Sequence, residues 1–177
     1  MLPLFNNKDF IFGFRLVTKR KTKIMKNILL FTFILFSFVL SAQTKVYKGN
    51  STSHFDCLYT IENEKVYRGN STSFTDIIFT ISENKVYQGN STSFTDCRYT
   101  IKDNKVYLGR STNFTDCIYT LKDGKVYLGN SSSFTACLLT ISGGEIYHGN
   151  STSFTDCIAK VEKSLDLALI AVLFGPY

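Results

Sequence analysis

Apolar and polar residues alternate along most of this chain, and the alternating pattern returns every 20 residues. Six copies of one unit follow each other from Lys45 to about Glu162, and the copy that begins at Lys105 reads KVYLGRSTNFTDCIYTLKDG. Within a unit, two short runs rich in Val, Ile, Tyr and Thr alternate with period two, which is typical of half-buried β-strands. So short and regular a period indicates an architecture built from one repeated supersecondary unit.

A pair of turn-forming residues separates the two alternating runs at each unit boundary. Asn, Asp and Gly tolerate the positive φ of a two-residue type I′ turn, so the pattern predicts five β-hairpins. In the third boundary this register places Ile101 opposite Val106 and Thr100 opposite Tyr107. The predicted turns are Asn63-Glu64, Glu83-Asn84, Asp103-Asn104, Asp123-Gly124 and Gly143-Gly144.

Strict alternation assigns the side chains of each hairpin to two faces. The Val106 position holds only Val or Ile, and the Ile101 position holds only Ile, Leu or Val, so we expect their face to be the core. The core face is predicted to carry Cys97, Tyr99, Ile101 and Val106, and the other face Asp96, Arg98, Thr100 and Tyr107.

The two ends of the repeat array each supply half a hairpin. The first unit begins with a strand without a preceding partner, and the last unit ends at Cys157 to Val161 without a following one. Pairing of the two would complete a sixth hairpin and remove the exposed sheet edges. The sequence therefore predicts an all-β, closed, pseudo-symmetric ring of short hairpins in which Val46 lies beside Val161.

The second loop of each unit reads Gly-Asn-Ser-Thr-Ser or a close variant. An unvarying Gly indicates positive φ or close backbone approach, and the Asn, Ser and Thr residues suit turns that bond their own backbone. A ligand surface is the alternative. An Asp recurs in five units, at Asp56, Asp76, Asp96, Asp116 and Asp156, with Ala136 in the remaining one. We expect these carboxylates to accept hydrogen bonds from the loop, although a ring of them could also bind Ca²⁺.

Cysteines and aromatic residues also recur with the period. The cysteines are Cys57, Cys97, Cys117, Cys137 and Cys157, with Ile77 in the sixth slot. An apolar substitute and an odd count favour buried free thiols over disulfides or a metal centre. A Tyr and, in five units, a Phe recur too, and packing between neighbouring hairpins is favoured over a carbohydrate-binding surface. His54 and His148 occupy unrelated positions and support no catalytic triad.

The first 42 residues resemble a leader. A basic start at Met25-Lys26 precedes the apolar run Ile28 to Leu40, and Ser41-Ala42 provides a small-residue cleavage site, as in a secretory signal peptide. The run is 13 residues long, too short for a membrane anchor. Met25 is then the expected start. The leader carries a net charge of +6 and residues 43–177 a net charge of zero, which argues against nucleic-acid binding.

The chain ends in a short apolar segment, residues 164–177. Ser164 is a candidate N-cap, and the Gly-Pro pair at 175–176 stops the segment. A helix that is apolar on all sides must be buried, so we expect a plug in the middle or at one mouth of the ring. Docking to a partner or to a membrane surface is the alternative.

The repeat resembles that of the beta-flower proteins, a family of small secreted bacterial proteins. The resemblance rests on the recurring pattern Y-x-G-N-S-T-S…Y-T-I, as in Tyr87 to Ile101, on the Ser-Ala-Gln signal ending and on the apolar tail. It implies hairpins that radiate like petals around an axis, in a family without an assigned activity. Members with four or five petals would make the six units of this chain a departure.

These observations predict three segments: a leader (1–42), a six-repeat hairpin domain (43–163) and an apolar C-terminal segment packed on it (164–177). We expect an exported protein, whether periplasmic, on the outer surface or secreted, that is not an enzyme and carries no cofactor or metal. Its expected role is structural support or recognition of a glycan or envelope component. The alternative is self-assembly or partner docking through the tail. The candidate ligand surface consists of Tyr47, Tyr67, Tyr87, Tyr107, Tyr127, Tyr147, Asn50, Asn70 and Asn90.

Overall fold

Twelve short strands form the body of the protein in a computed structural model that describes residues 43–176. The predicted leader lies outside the described residues. The strands are β1 (Thr44–Lys48), β2 (Cys57–Glu62), β3 (Lys65–Arg68), β4 (Ile77–Ser82), β5 (Lys85–Gln88), β6 (Cys97–Lys102), β7 (Lys105–Leu108), β8 (Cys117–Lys122), β9 (Lys125–Leu128), β10 (Cys137–Ser142), β11 (Glu145–His148) and β12 (Cys157–Val161).

Two kinds of connection alternate along the chain. The five predicted two-residue turns lie at one end of the strands, where they join β2 to β3, β4 to β5, β6 to β7, β8 to β9 and β10 to β11. Both central residues have positive φ in each of them, for example 50° at Asp103 and 57° at Asn104, which confirms the type I′ prediction. Longer loops join the strands at the other end, and each contains one short 3₁₀ turn. These turns are His54–Asp56, Phe74–Asp76, Phe94–Asp96, Phe114–Asp116, Phe134–Ala136 and Phe154–Asp156.

The strands close into a ring, as predicted. Each strand pairs antiparallel with its sequence neighbours, and β1 pairs with β12, so that the described sheet has no free edge. Val46 lies opposite Val161, and the backbone N–H of Glu162 donates to the carbonyl of Lys45 at 2.9 Å. The first and last strands thus form the sixth hairpin, and the predicted fold class is confirmed.

The predicted register within hairpins is also found, since Ile101 faces Val106 and Thr100 faces Tyr107. The register between neighbouring hairpins differs from simple alternation. Val86 faces Tyr99 while the next residue, Tyr87, faces Cys97, so that Arg98 is an extra, bulged residue. The same bulge recurs at all six junctions.

The prediction that the cysteines lie on the core face is wrong, because of the bulge. An extra residue shifts the alternation by one, so everything before it exchanges faces. Cys97 therefore shares a face with Tyr87 and Thr100, and the bulged residue, not the cysteine, lies next to the core. Ile118, at the bulge of the fourth unit, belongs to the core cluster.

The core lies inside the ring. The Val position of every unit belongs to this core, and the six side chains there have no exposed surface: Val46, Val66, Val86, Val106, Val126 and Ile146. An eight-stranded barrel is just filled by its own side chains, so a ring of twelve needs additional filling.

The C-terminal helix α1 (Leu167–Phe174) supplies that filling. Ala168, Leu169, Ile170, Ala171 and Val172 are all buried, and the helix packs against β7, β8 and β9. This supports the predicted plug. The cap is Asp166, whose carboxylate accepts the N–H of Ala168 at 2.7 Å, and not Ser164 as predicted. Within residues 43–176, no helix has the length and apolar character needed to cross a membrane.

Candidate functional site

The long loops are shaped by hydrogen bonds between Ser and Asp. In the first unit Ser51 Oγ donates to Asp56 Oδ2 at 2.6 Å and accepts the N–H of Ser53 at 3.0 Å. Equivalent Ser–Asp pairs join Ser71 to Asp76, Ser91 to Asp96, Ser111 to Asp116 and Ser151 to Asp156. The carboxylates are thus engaged in loop structure, as favoured from the sequence. No group of three metal-ligating side chains occurs among the described residues.

A ring of exposed phenylalanines surrounds the loop end of the strands. Each 3₁₀ turn carries one of them, and each keeps most of its surface in water. We call these six residues the Phe rim: Phe55 (95% exposed), Phe74 (70%), Phe94 (72%), Phe114 (75%), Phe134 (79%) and Phe154 (78%). The prediction that the recurring Phe packs between neighbouring hairpins is therefore wrong.

Polar side chains lie between successive members of the Phe rim. The Asn130 amide donates to the carbonyl of Phe114 at 2.6 Å, and the Asn150 amide donates to that of Phe134 at 2.8 Å. Lys105 and Lys125 in turn donate to the side-chain oxygens of the same two asparagines at 2.9 and 2.7 Å. The rim is thus attached to neighbouring units through these asparagines.

Only Asn130 and Asn150 have both bonds within the described residues, and two of the other units have a different contact at this position. Arg110 stands where the other units have Asn, and its guanidinium stacks 4.1 Å from the ring centre of Phe94, a cation–π contact. Asn50 links the last loop to the first through the Phe154 carbonyl at 3.4 Å. The residue that would donate to Asn50 is Glu145, not Lys, and the buried Oδ1 of Asn50 has no partner within the described residues.

The six tyrosines of the predicted ligand surface are buried. Tyr47, Tyr67, Tyr87, Tyr107, Tyr127 and Tyr147 keep 5–9% of their surface, so their rings pack within the protein, and the exposed aromatic position is Phe. The hydrogen bond from Tyr147 to Glu145, 2.5 Å long, raises the pKa of Tyr147 to about 12. Of the three predicted asparagines, Asn50 and Asn70 are partly buried and Asn90 is exposed.

The five cysteines are free thiols, each on its own strand. Cys97 and Cys117 are buried, and the other three are partly buried. The Cys117 thiol donates to the carbonyls of Tyr119 (3.4 Å) and Gly129 (3.6 Å), and the other thiols have similar contacts. The bulge places these groups on the outer face, where backbone carbonyls take up the S–H.

Alkylation of the native protein tests this placement. Cys57, Cys137 and Cys157 should react before Cys97 and Cys117, because access controls the reaction of a thiol. Burial and the charge of Glu145 raise the pKa of the Cys157 thiol above its usual 9.0, so its labelling rate should still be rising above pH 9. Peptide mass spectrometry over time measures both effects. Equal rates at all five sites without denaturant would contradict the structure.

The two histidine side chains are exposed to solvent. His54 lies in the first 3₁₀ turn, where its ring lies edge-on to Phe55 at 5.7 Å, and His148 lies at the end of β11. Neither side chain has a hydrogen bond or an ion pair within residues 43–176.

An open cavity of about 490 Å³ lies at the loop-side mouth of the ring, between β3 and β6. Arg68, Gln88 and Arg98 line it, together with the apolar side chains of Ile78, Phe79 and Tyr99. Phe79 and Tyr99 meet edge to face at 6.4 Å. Burial raises the pKa of the Tyr99 hydroxyl, and the nearby charge of Arg98 acts in the opposite direction. We call this space the mouth cavity.

The repeat, the closed ring and the tail together match a known family. The family model described as "6-fold beta flower protein" matches residues 46–173, which cover β1 from Val46 onward, the other eleven strands and all of α1 except Phe174. The chain is a beta-flower protein. Because this family model is itself sixfold, the six units are no departure from the family, contrary to the expectation from four- and five-petalled members. No curated protein and no solved structure matches the chain.

Two features of the loop face, the exposure of the Phe rim and the mouth cavity, were not predicted from the sequence. The exposure of the Phe rim has a weak signal in the sequence: each Phe sits among Ser, Thr and Asp, outside the alternating runs. The mouth cavity has a clearer one, since Arg98 is the single charged residue at a position that is Leu or Ile in the other five units.

Proposed function

We propose that this beta-flower protein is an exported, non-enzymatic recognition module that binds a repeating glycan of the cell envelope through the Phe rim. The exposure of one phenylalanine in every unit carries the proposal. A Phe side chain that remains 70–95% in water contributes little to the stability of the fold, yet five units have one at the same position and the first unit has Phe55 one residue later. Residues that bind a partner are often carried on loops that a rigid scaffold holds in place, as these phenylalanines are.

The surroundings of the rim favour a sugar over a purely apolar partner. Each ring lies among Asn, Ser and Thr side chains, which can donate and accept hydrogen bonds with hydroxyl groups. The aromatic face is negative and suits the C–H groups of a sugar ring. A polymer of identical sugars can engage several identical positions at once, and this multivalency turns weak single contacts into firm binding.

Several observations support the other parts of the proposal. Neither histidine side chain is hydrogen-bonded to a Ser, Thr or Cys side chain within the described residues, and the cysteine thiols are bonded to backbone carbonyls, which argues against catalysis. The signal-peptide pattern of residues 1–42 supports export. The alternative role, docking through the tail, is weakened because five residues of α1 are buried inside the ring.

Retention on insoluble peptidoglycan, chitin and cellulose tests the proposal. Wild-type protein should bind at least one of them, and a variant with Ser at Phe74, Phe94, Phe114, Phe134 and Phe154 should bind at least about tenfold more weakly, because multivalent gains of 10²–10⁴ are lost with the single contacts. These side chains are exposed, so the variant should unfold at nearly the wild-type temperature.

The matched control replaces two other exposed apolar residues, Leu108 (55%) and Leu128 (41%), by Ser, and it should bind like wild type. Failure of the wild type to bind any of the three polymers, or unchanged binding by the five-Phe variant, would contradict the proposal. If the wild type forms oligomers that the five-Phe variant abolishes, the rim joins copies of the protein instead.

A further inference from the structure

The six units differ most from each other at the loop-side mouth. The first strand of every repeat unit, for example β3, ends in a residue that faces the inside of the ring. This residue lies opposite a core-facing residue such as Tyr59 or Phe79. Around the ring this position reads Lys48, Arg68, Gln88, Leu108, Leu128 and His148. The polar residues lie on one side of the mouth and the two leucines on the other.

The position of α1 explains why a cavity remains on the polar side. The helix packs mainly against β7, β8 and β9, the part of the ring that carries the two leucines, and its last residue, Phe174, also reaches Tyr59 of β2. The residues that line the mouth cavity belong mainly to β3 to β6, outside the main contacts of the helix. The cavity volume of about 490 Å³ falls within the usual range for sites that bind small molecules.

Two departures from the repeat lie in the wall of the mouth cavity, at Arg98 and Phe79. Arg98 occupies the bulge position, where the other five units have Leu or Ile beside the core. Its guanidinium is held by the side-chain oxygen of Gln88, with Nε at 2.7 Å and Nη2 also in contact. Phe79 stands where three other units have Tyr, which makes the floor of the cavity more apolar.

The charge of the cavity is positive. Arg68 and Arg98 both line it, and none of the described residues that line it is acidic. A guanidinium has five N–H donors in a fixed fork, and Gln88 takes two of those of Arg98. Such forks match carboxylate and phosphate groups.

We propose that the mouth cavity binds an amphipathic anion, a small molecule with a carboxylate or phosphate head and an apolar tail. The head lies between Arg68 and Arg98. The tail lies on Ile78, Phe79 and Tyr99. This site is separate from the Phe rim and does not depend on glycan binding.

Isothermal titration of the full chain with four probes tests the proposal. Octanoate and octyl phosphate should bind and 1-octanol and inorganic phosphate should not, because the first pair alone offers both head and tail. A comparison of octanoate with octyl phosphate shows which head the arginines prefer. Affinity for the charged probes should fall as salt is added, since salt screens exposed charges.

Two variants restore residues that the repeat itself uses. Arg98→Ile copies the bulge residue of units such as that of Ile118, and Arg68→Leu copies Leu108, so both should fold. Each should weaken binding of the charged probes at least about tenfold, the usual consequence of losing a charge-assisted hydrogen bond. Lys48→Leu, the same change at an equivalent position that does not line the cavity, should leave affinity unchanged.

The proposal fails under any of three results. The first is that neither charged probe binds the wild type. The second is that 1-octanol binds as tightly as octanoate, which would mark an apolar crevice without anion recognition. The third is that Arg98→Ile keeps the wild-type affinity. Loss of glycan retention in the five-Phe variant would leave these results unaffected.

Discussion

A protein that starts at Gly49, and therefore lacks β1, is expected to lose cooperative unfolding and to associate through its edges. β1 pairs with both β2 and β12, and its Val46 has no exposed surface. Burial of Val46 contributes about 1.5–3 kcal/mol, and each lost ladder hydrogen bond about 0.5–1.5 kcal/mol. The total is a large fraction of the 5–15 kcal/mol that holds a typical domain together.

Thermal unfolding followed by circular dichroism, with sedimentation velocity, measures the effect. The matched control is a protein that starts at Gln43 and keeps all twelve strands and α1. It should unfold cooperatively as a monomer. A β1-deleted protein that stays as stable as this control would show that closure does not stabilise the ring.

Removal of α1 by truncation after Lys163 is expected to unfold the protein or leave a loose, dye-binding ring. The three large buried side chains, Leu169, Ile170 and Val172, contribute about 1.5–3 kcal/mol each through burial. Their loss also exposes the inner face of β7 to β9, and a cavity lined by apolar residues adds a further cost.

Urea unfolding and binding of a hydrophobic dye distinguish the outcomes. Truncation after Gly175 removes only Pro176 and Tyr177, keeps α1 intact, and should leave stability nearly unchanged. A folded, monomeric protein that binds no dye after truncation at Lys163 would contradict the role of α1 as a plug. It would also reopen the alternative that the tail serves a partner.

The hairpins, their register and the closure of the ring were predictable because local residue types dictate them. Asp103-Asn104 and its counterparts need positive φ at two successive positions, and few residues accept it. Once the turn is fixed, the period of two leaves one register that buries Val106 and Ile101 together. Closure then follows from the unpaired half-hairpins at the two ends.

The bulge was not predictable from residue types. Arg98, Ile118 and Leu138 share the bulged position and have no common chemical property that announces an extra residue. The insertion becomes visible only when neighbouring hairpins are paired, and it reverses the face of every cysteine. The capping of α1 by Asp166 instead of Ser164 reflects the same limit, since both residue types cap equally well.

The binding surfaces depended on the closed ring. An apolar residue such as Phe114 is buried in most proteins, and nothing in its own unit says that the loop holds it outward. The mouth cavity depends on two facts that the sequence does not contain: Arg68 of β3 and Arg98 of β6 line the same space, and α1 packs mainly against β7, β8 and β9.

Pairing of β1 with β12 also determines the order in which the strands can pair while the chain is being made. A hairpin such as that of Asp103-Asn104 can form within about 1–10 μs of leaving the ribosome or an export channel. β1 must wait until β12 appears, which at 5–20 residues per second is on the order of ten seconds. During that interval two unpaired strand edges face the surroundings, beside other copies with identical edges. A nascent beta-flower is thus most exposed to mispairing just before β12 emerges, and α1, which follows β12 in the chain, can pack inside the closed ring only after that.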